Sequence, residues 1–131
     1  MADSTRAGAR ILVVDDDPAI GGLIAAILGK DGYTVLVAKS GSEGLSMATA
    51  EHPHLILMDI TMPDMDGYEA TQKLKATPGM KDIPVIFLTG RSASEDGGRA
   101  FGSGGLTFMR KPFTAQQLRD LVSLAVQSLG V

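Results

Sequence analysis

The sequence predicts an α/β fold, a doubly wound parallel sheet of five strands with helices on both faces. Five short runs rich in Val, Ile and Leu alternate with segments whose apolar residues recur at helical spacing. Those runs are almost continuously apolar rather than alternating, as strands buried on both faces are. Asp15-Asp16-Asp17, Asp59, Thr89 and Lys111 each stand where one of the runs stops. In an open parallel sheet the carboxyl ends of the strands border one crevice, where such folds bind their ligands.

The first run, residues 10–14, leads into Asp17-Pro18, an N-cap followed by proline at the first helical position. Ile20, Leu23, Ile24, Ile27 and Leu28 then mark one helix face, and residues 29–32 end it. Gly21 and Gly22 each cost about 1 kcal/mol against alanine in a helix, so a loose first turn is expected. Residues 33–38 form the second strand. Ser40 with Glu43 is a capping box for a helix to about Glu51 that buries Leu45 and Met47 or Ala48, and His52-Pro53 ends it.

The third strand spans residues 55–58, followed by a loop over 59–67 and a helix over 68–76. Pro78-Gly79 breaks the chain, and Pro84 precedes the fourth strand, 85–88. The fifth strand covers 107–110. Thr114 with Gln117 makes a second capping box, and Leu118, Leu121, Val122, Ala125 and Leu129 form the buried stripe of the last helix. Another helix is due between the fourth and fifth strands. From Gly90 to Gly105, however, six of sixteen residues are glycine and the only large apolar residue is Phe101, so a short or disordered helix is expected.

At 131 residues the chain is long enough for one core and too short for two, which predicts a single domain over 10–131 behind a flexible lead over 1–9. With no cysteine there are no disulfides, thiolate metal sites or cysteine nucleophiles. Two histidines, His52 and His54, are too few for a histidine-based metal site and read as a loop before the third strand. A net charge of −3 and the lack of a basic run argue against direct nucleic-acid binding. No apolar stretch approaches the roughly 20 residues that span a bilayer. The first nine residues lack the apolar segment of a signal peptide, so the cytoplasm is the expected compartment.

An aspartate pair before a helix reads, by itself, as a cap with solvated neighbours. Asp59 is harder to explain that way, because it continues an apolar strand and unpaired burial of a carboxylate costs about several kcal/mol. Carboxylates held together raise one another's pKa unless a divalent cation neutralises them. An oxygen-only donor set without His or Cys selects a hard cation, and few protein oxygens suit Mg²⁺ with retained waters. Lys111 at the same rim reads either as a salt-bridge partner of Asp59 or as half of a clamp on a phosphoryl group. Thr89 is either a capping threonine before Gly90 or a hydroxyl donor to the same crevice.

Taken together, Asp15-Asp16, Asp59, the loop Met62-Pro63-Asp64-Met65-Asp66-Gly67, Thr89 and Lys111-Pro112-Phe113 resemble the bacterial response-regulator receiver domain over about residues 10–129. The resemblance implies a flavodoxin-like sheet of order 2-1-3-4-5. It implies Asp59 as the phosphoacceptor, Asp16, Asp59 and the Thr61 backbone carbonyl as Mg²⁺ ligands, and Asp15 acting through water. Lys111 and Thr89 would hold the phosphoryl oxygens, and Thr89 and Phe108 would form the switch. The implied partners are a sensor histidine kinase or histidine phosphotransfer protein and a downstream protein target. No catalysis is implied beyond the domain's own phosphorylation and slow dephosphorylation.

Some positions depart from the family pattern. Phe108 keeps the usual aromatic ring without the common hydroxyl, and Gly90 stands, tolerably, at a position usually held by alanine or another small residue. The glycine-rich residues 91–105 stand where an amphipathic helix commonly forms part of the output surface. Thr61 and Arg91 occupy the variable positions that tune phosphoryl lifetime in the family.

Other readings fit less well. Asp64-x-Asp66-Gly67 suggests a calcium loop, but Met62 and Lys73 occupy its first and twelfth ligand positions. An aspartate-nucleophile phosphatase wants an acid two residues after Asp59, where Thr61 stands. A nucleotide or flavin domain wants a glycine- or hydroxyl-rich loop after the first strand, where three aspartates stand. The alternative from another class is a receiver-like interaction module that binds its partner without switching.

Overall fold

Helix caps and strand ladders together position every element. In a computed structural model, which describes residues 8–90 and 107–128, the order is β1 (Arg10–Val14), α1 (Pro18–Lys30), β2 (Thr34–Ala38), α2 (Gly41–Glu51), β3 (Leu55–Asp59), α3 (Gly67–Ala76), β4 (Val85–Thr89), β5 (Thr107–Arg110) and α4 (Ala115–Ser128). All four strand pairings are parallel and the sheet order is β2-β1-β3-β4-β5. The order matches the expectation, and it puts β1, β3, β4 and β5 side by side.

Strand alternation splits the core in two. Ile11, Val13, Leu55, Leu57, Ile86 and Leu88 face α1 and α4, where Ile24, Leu28, Leu118 and Val122 meet them. Leu12, Val14, Ile56, Met58, Val85 and Phe87 face α2 and α3, where Ala48, Tyr68, Ala70 and Leu74 complete the second layer. Both faces of the sheet are therefore dry, which is why its central strands carry no alternation.

The predicted caps are present. The Asp17 carboxylate accepts from Ala19 N, and the Ser40 hydroxyl accepts from Glu43 N. The Thr114 hydroxyl accepts from Gln117 N while the Gln117 side chain accepts from Thr114 N. Asp66, expected in a loop, instead caps α3 by accepting from Glu69 N at 2.8 Å, so the helix starts at Gly67 rather than Tyr68. His52 adopts a left-handed conformation (φ 48°) and closes α2.

Several boundaries and packing expectations change. The first turn of α1 is formed, with Gly21 N bonded to Asp17 O at 3.2 Å. A Cβ at Gly21 would lie 2.8 Å from Val37 Cγ1, so this glycine permits close approach of α1 to β2. Leu23 is 49% exposed, because the buried face of α1 is centred on Gly21, Ile24 and Leu28. Tyr33 is buried but precedes β2: its N–H is used by Leu28 O at the end of α1. In α2 the buried positions are Gly41, Gly44 and Ala48, with Leu45 and Met47 half-buried.

Most of the expected lead lies outside the described residues, as do the segment between Gly90 and β5 and Leu129 of the last stripe. Gly8 and Ala9 already join the fold, since Gly8 N donates to Gly32 O, Thr34 N donates to Ala9 O, and Ala9 is buried. Among the described residues no helix is long and apolar enough to cross a membrane.

Candidate functional site

The crevice is built from strand ends. Asp15 follows β1 and is completely buried, while Asp16 beside it is exposed. Asp59 is the last residue of β3, opposite Leu88 in the ladder, and only 6% exposed. One carboxylate oxygen from each of Asp15, Asp16 and Asp59 lies within 4.8 Å of the others. Thr89 ends β4 and is buried, and its carbonyl accepts from Lys111 N at 2.6 Å. That bond fixes the backbone just past β5 and turns the lysine into the crevice.

Lys111 Nζ lies 3.0 Å from Asp15 Oδ2 and 3.3 Å from Asp59 Oδ1, so the ammonium bridges two carboxylates rather than only Asp59. The other oxygen of Asp15 accepts from Asp17 N at 2.9 Å. Asp15 therefore has both oxygens occupied, whereas Asp16 presents its carboxylate to solvent. Asp17 faces its own helix as a cap and takes no part in the cluster.

The electrostatics follow from this packing. Burial pushes the Asp59 carboxyl up to about 6, the Asp15 charge adds to the rise, and Lys111 together with the Thr61 N–H only partly offsets it. For Lys111, burial works against the ammonium, but the hydrogen bond to Asp15 and the charges of Asp59 and Asp15 outweigh it. Its pKa is raised. Three carboxylates and one ammonium leave an excess of two negative charges in a half-buried crevice. A divalent cation with oxygen ligands fits both that charge and that donor set.

Backbone contacts hold the β3–α3 loop beside Asp59. Ile60 N donates to Leu88 O, and Gly67 N donates to Ile60 O at 2.8 Å. No side chain fits at Gly67: a Cβ there would collide with the Asp59 carbonyl oxygen and stand 3.0 Å from Ile60 Cα. On the β1 side, a Cβ at Gly44 would lie 2.8 Å from Val14 Cγ2, the residue before Asp15. Gly44, Gly67 and Asp64 carry no chemistry of their own; the sequence marked Asp64 and Gly67 only as parts of the loop motif and of an ill-fitting calcium loop, and did not mark Gly44 at all. Asp66-Gly67 at the foot of an acidic loop was a usable signal for a close approach, but Gly44 offered none.

Phe108 sits in β5 opposite Phe87, half-buried against the α2–α3 layer. It also lines a groove with Leu121 and Leu124 on the α4 side. The sequence-predicted residues Asp15, Asp16, Asp59 and Lys111 are thus brought together, with the Thr61 N–H favouring the Asp59 carboxylate and Thr89 at the same rim. Phe108 lies on the next strand. Arg91 falls outside the described residues.

Comparison with known proteins agrees with this arrangement. The response regulator receiver domain family matches residues 11–123. Protein PilH of Pseudomonas aeruginosa is 36% identical over 115 residues, covering 88% of this chain and 95% of PilH. The DNA-binding dual master transcriptional regulator RpaA of Synechocystis is 37% identical over 109 residues, which are 83% of this chain and 45% of that protein. The chain thus spans about half the length of some curated relatives and nearly all of others. The chemotaxis protein CheY4 of Vibrio cholerae superposes with a TM-score of 0.87 at 28% identity, over 91% of this chain and 99% of that one. A five-stranded parallel sheet with an acidic crevice at its carboxyl edge, matched by the family over most of its length, makes this chain a member of the response regulator receiver domain family, the phosphoaccepting module of two-component signalling.

Proposed function

We propose that Asp59 is the phosphoacceptor and that Asp16, Asp59 and the Thr61 carbonyl hold Mg²⁺ directly, with Asp15 acting through water. The observation that carries this reading is the buried Asp15–Lys111–Asp59 bridge beside an exposed Asp16. The two occupied oxygens of Asp15 favour an indirect role for it, and the solvent-facing Asp16 favours a direct one. Bound there, Mg²⁺ would supply positive charge that offsets the carboxylates and the charge developing on a transferring phosphoryl group.

Asp59 acts as nucleophile. A carboxylate oxygen forms the new bond to phosphorus as the phosphorus–nitrogen bond of a phosphohistidine breaks, and the imidazole of the donor leaves. Asp59 reacts as the carboxylate, a form that burial and the Asp15 charge resist in the metal-free site and that Lys111 favours. Lys111 then exchanges part of its contact with Asp59 for the phosphoryl oxygens, and the Thr89 hydroxyl donates to another.

The aspartyl phosphate adds about −1.5 to −2 charge next to Lys111 and Thr89. Thr89 moves toward that charge, and Phe108 turns into the space it leaves, which reshapes the groove it shares with Leu121 and Leu124. The donor is a sensor histidine kinase or a histidine phosphotransfer protein, and the output is a protein contact rather than direct nucleic-acid binding. The net charge of −3 supports that last point. The domain acts in the cytoplasm, and the only reactions it catalyses are its own phosphorylation and slow dephosphorylation.

Incubation with Mg²⁺ and acetyl phosphate, read by intact mass, tests the assignment. A phosphate adduct that disappears in Asp59→Asn is expected. No Asp59-dependent adduct from acetyl phosphate or a cognate kinase leaves a non-switching interaction module instead. Chemical-shift changes confined to the acidic crevice after phosphorylation would refute the coupling to Phe108.

A further inference from the structure

Helix α2 has a second cap that comes from outside its own sequence neighbourhood. Its N-cap Ser40 serves Glu43 N, and Gly44 N bonds to Ser40 O. The remaining first-turn donors, Gly41 N and Ser42 N, point at the carboxylate of Asp64, 23 and 22 residues away in the chain, at 3.0 and 2.9 Å. The Ser42 hydroxyl donates to the same carboxylate at 2.8 Å. Two adjacent helix N–H groups at the positive end of the helix form a directed anchor for a carboxylate. The Ser42 N–H and hydroxyl and the Gly41 N–H hold the Asp64 carboxyl down to about 2.

Asp64 belongs to the loop between β3 and α3, the loop that also carries Thr61. Further bonds tie the loop to β4 and to α3, where Ile60 N donates to Leu88 O, Gly67 N to Ile60 O and Glu69 N to the Asp66 carboxylate, and the Thr61 N–H favours the Asp59 carboxylate. Asp64 is the loop's hydrogen-bonded tie toward the β1 side, and Met65 packs over Gly41 next to it, where a Cβ would leave no room. Helix α2 is in turn seated on β1 through Gly44 and Val14, directly before Asp15.

We propose that Asp64 is a positioning residue for the metal site: by tying the 60–66 loop to the first turn of α2, it holds the Thr61 carbonyl at the Asp15–Asp16–Asp59 cluster. This rests on the metal reading given above. Asp64 touches neither the phosphoryl group nor the cation. It converts the fixed position of α2 against β1 into a fixed position for a ligand donated from the β3–α3 loop.

Mg²⁺ titration by calorimetry or by amide chemical shifts, at pH 7.5 and a temperature where every variant is fully folded, tests the idea. Asp64→Ala is expected to weaken Mg²⁺ binding about threefold to tenfold, at or below the roughly tenfold lower bound for residues that hydrogen-bond a ligand directly, because Asp64 acts through the loop backbone. Ser42→Ala, which removes one of the three bonds and leaves both helix N–H contacts, is expected to weaken it less. Hydrogen exchange at Gly41 and Ser42 should speed up in Asp64→Ala without Mg²⁺. A merely structural cap predicts lower stability with unchanged Mg²⁺ affinity, and wild-type affinity in folded Asp64→Ala overturns the proposal. Absence of Mg²⁺ binding in the wild-type protein brings down the metal reading and this inference with it, an outcome recognisable before any variant is made.

Discussion

Asp59→Asn removes a charge that the metal-free fold holds at a cost. Burial and the Asp15 charge raise the Asp59 carboxyl from 3.8 to about 6 despite the Lys111 contact. A difference of about two pKa units, at 1.36 kcal/mol each, sets a ceiling of about 3 kcal/mol on the penalty above pH 7. Solvent at the crevice mouth and the weaker bond from Lys111 to an amide reduce the expected gain to about 1–2 kcal/mol.

Asp59→Asn is therefore expected to be more stable than wild type in urea at pH 8 without Mg²⁺. Its melting temperature should be higher by roughly 3–8 °C. Between pH 6 and 4 the native carboxyl binds a proton that the unfolded chain does not, so wild-type stability rises as pH falls through that window and the gap closes. Mg²⁺ should also narrow the gap, since the wild-type site gains RT ln(1 + [Mg²⁺]/Kd) and the variant less. Equal or lower stability of Asp59→Asn at pH 8 without Mg²⁺ would show that Lys111 fully compensates the buried charge and would refute the reasoning.

Lys111→Met leaves the completely buried Asp15 without its ammonium. It should cost roughly 2–4 kcal/mol in urea unfolding, below the usual loss for a fully buried pair because the lysine is a quarter exposed. Gly67→Ala drives a Cβ into the Asp59 carbonyl and should cost about 1–3 kcal/mol while sharply slowing acetyl phosphate labelling; unchanged labelling would remove Gly67 from the site's support. Burial and Arg10 lower the pKa of His54, whose Nδ1 accepts from Arg10 N at 2.9 Å. The contribution of His54 is present above the unfolded value near 6.5 and is lost as pH falls through and below it. Proton titration by NMR should place His54 below 6.5, and a midpoint at or above that value would contradict the bond.

Much of the site was legible because its chemistry is written at the ends of apolar runs. The run before Asp15 and the run ending at Met58 marked strands without any knowledge of their neighbours, and helix caps such as Asp17 and Thr114 are local by nature. The boundaries were less legible. Asp59 and Thr89 read as the first residues after a strand, yet both are the last rungs of their ladders. Side-chain polarity reports what a residue faces, whereas the ladder is a property of the backbone, and at a crevice the two part company. Leu23 failed for a related reason: spacing defines a stripe but not its centre, and that centre was set by Gly21 against Val37.

The amino-acid sequence by itself determined the alternation of strands and helices, the caps, and which polar residues stand at strand ends, because each depends on contacts within a few residues. Only the tertiary structure decided that Lys111 bridges Asp15 and Asp59, that Asp15 is fully occupied while Asp16 is open, and that Asp64 reaches across to α2. The Lys111 bridge and the Asp64 tie join residues tens of positions apart through sheet order and close helix packing. Glycines at 44 and 67 make that packing possible; Gly67 sits in a readable turn, but at Gly44 the absence of a side chain leaves no pattern to read until the neighbour it admits is known.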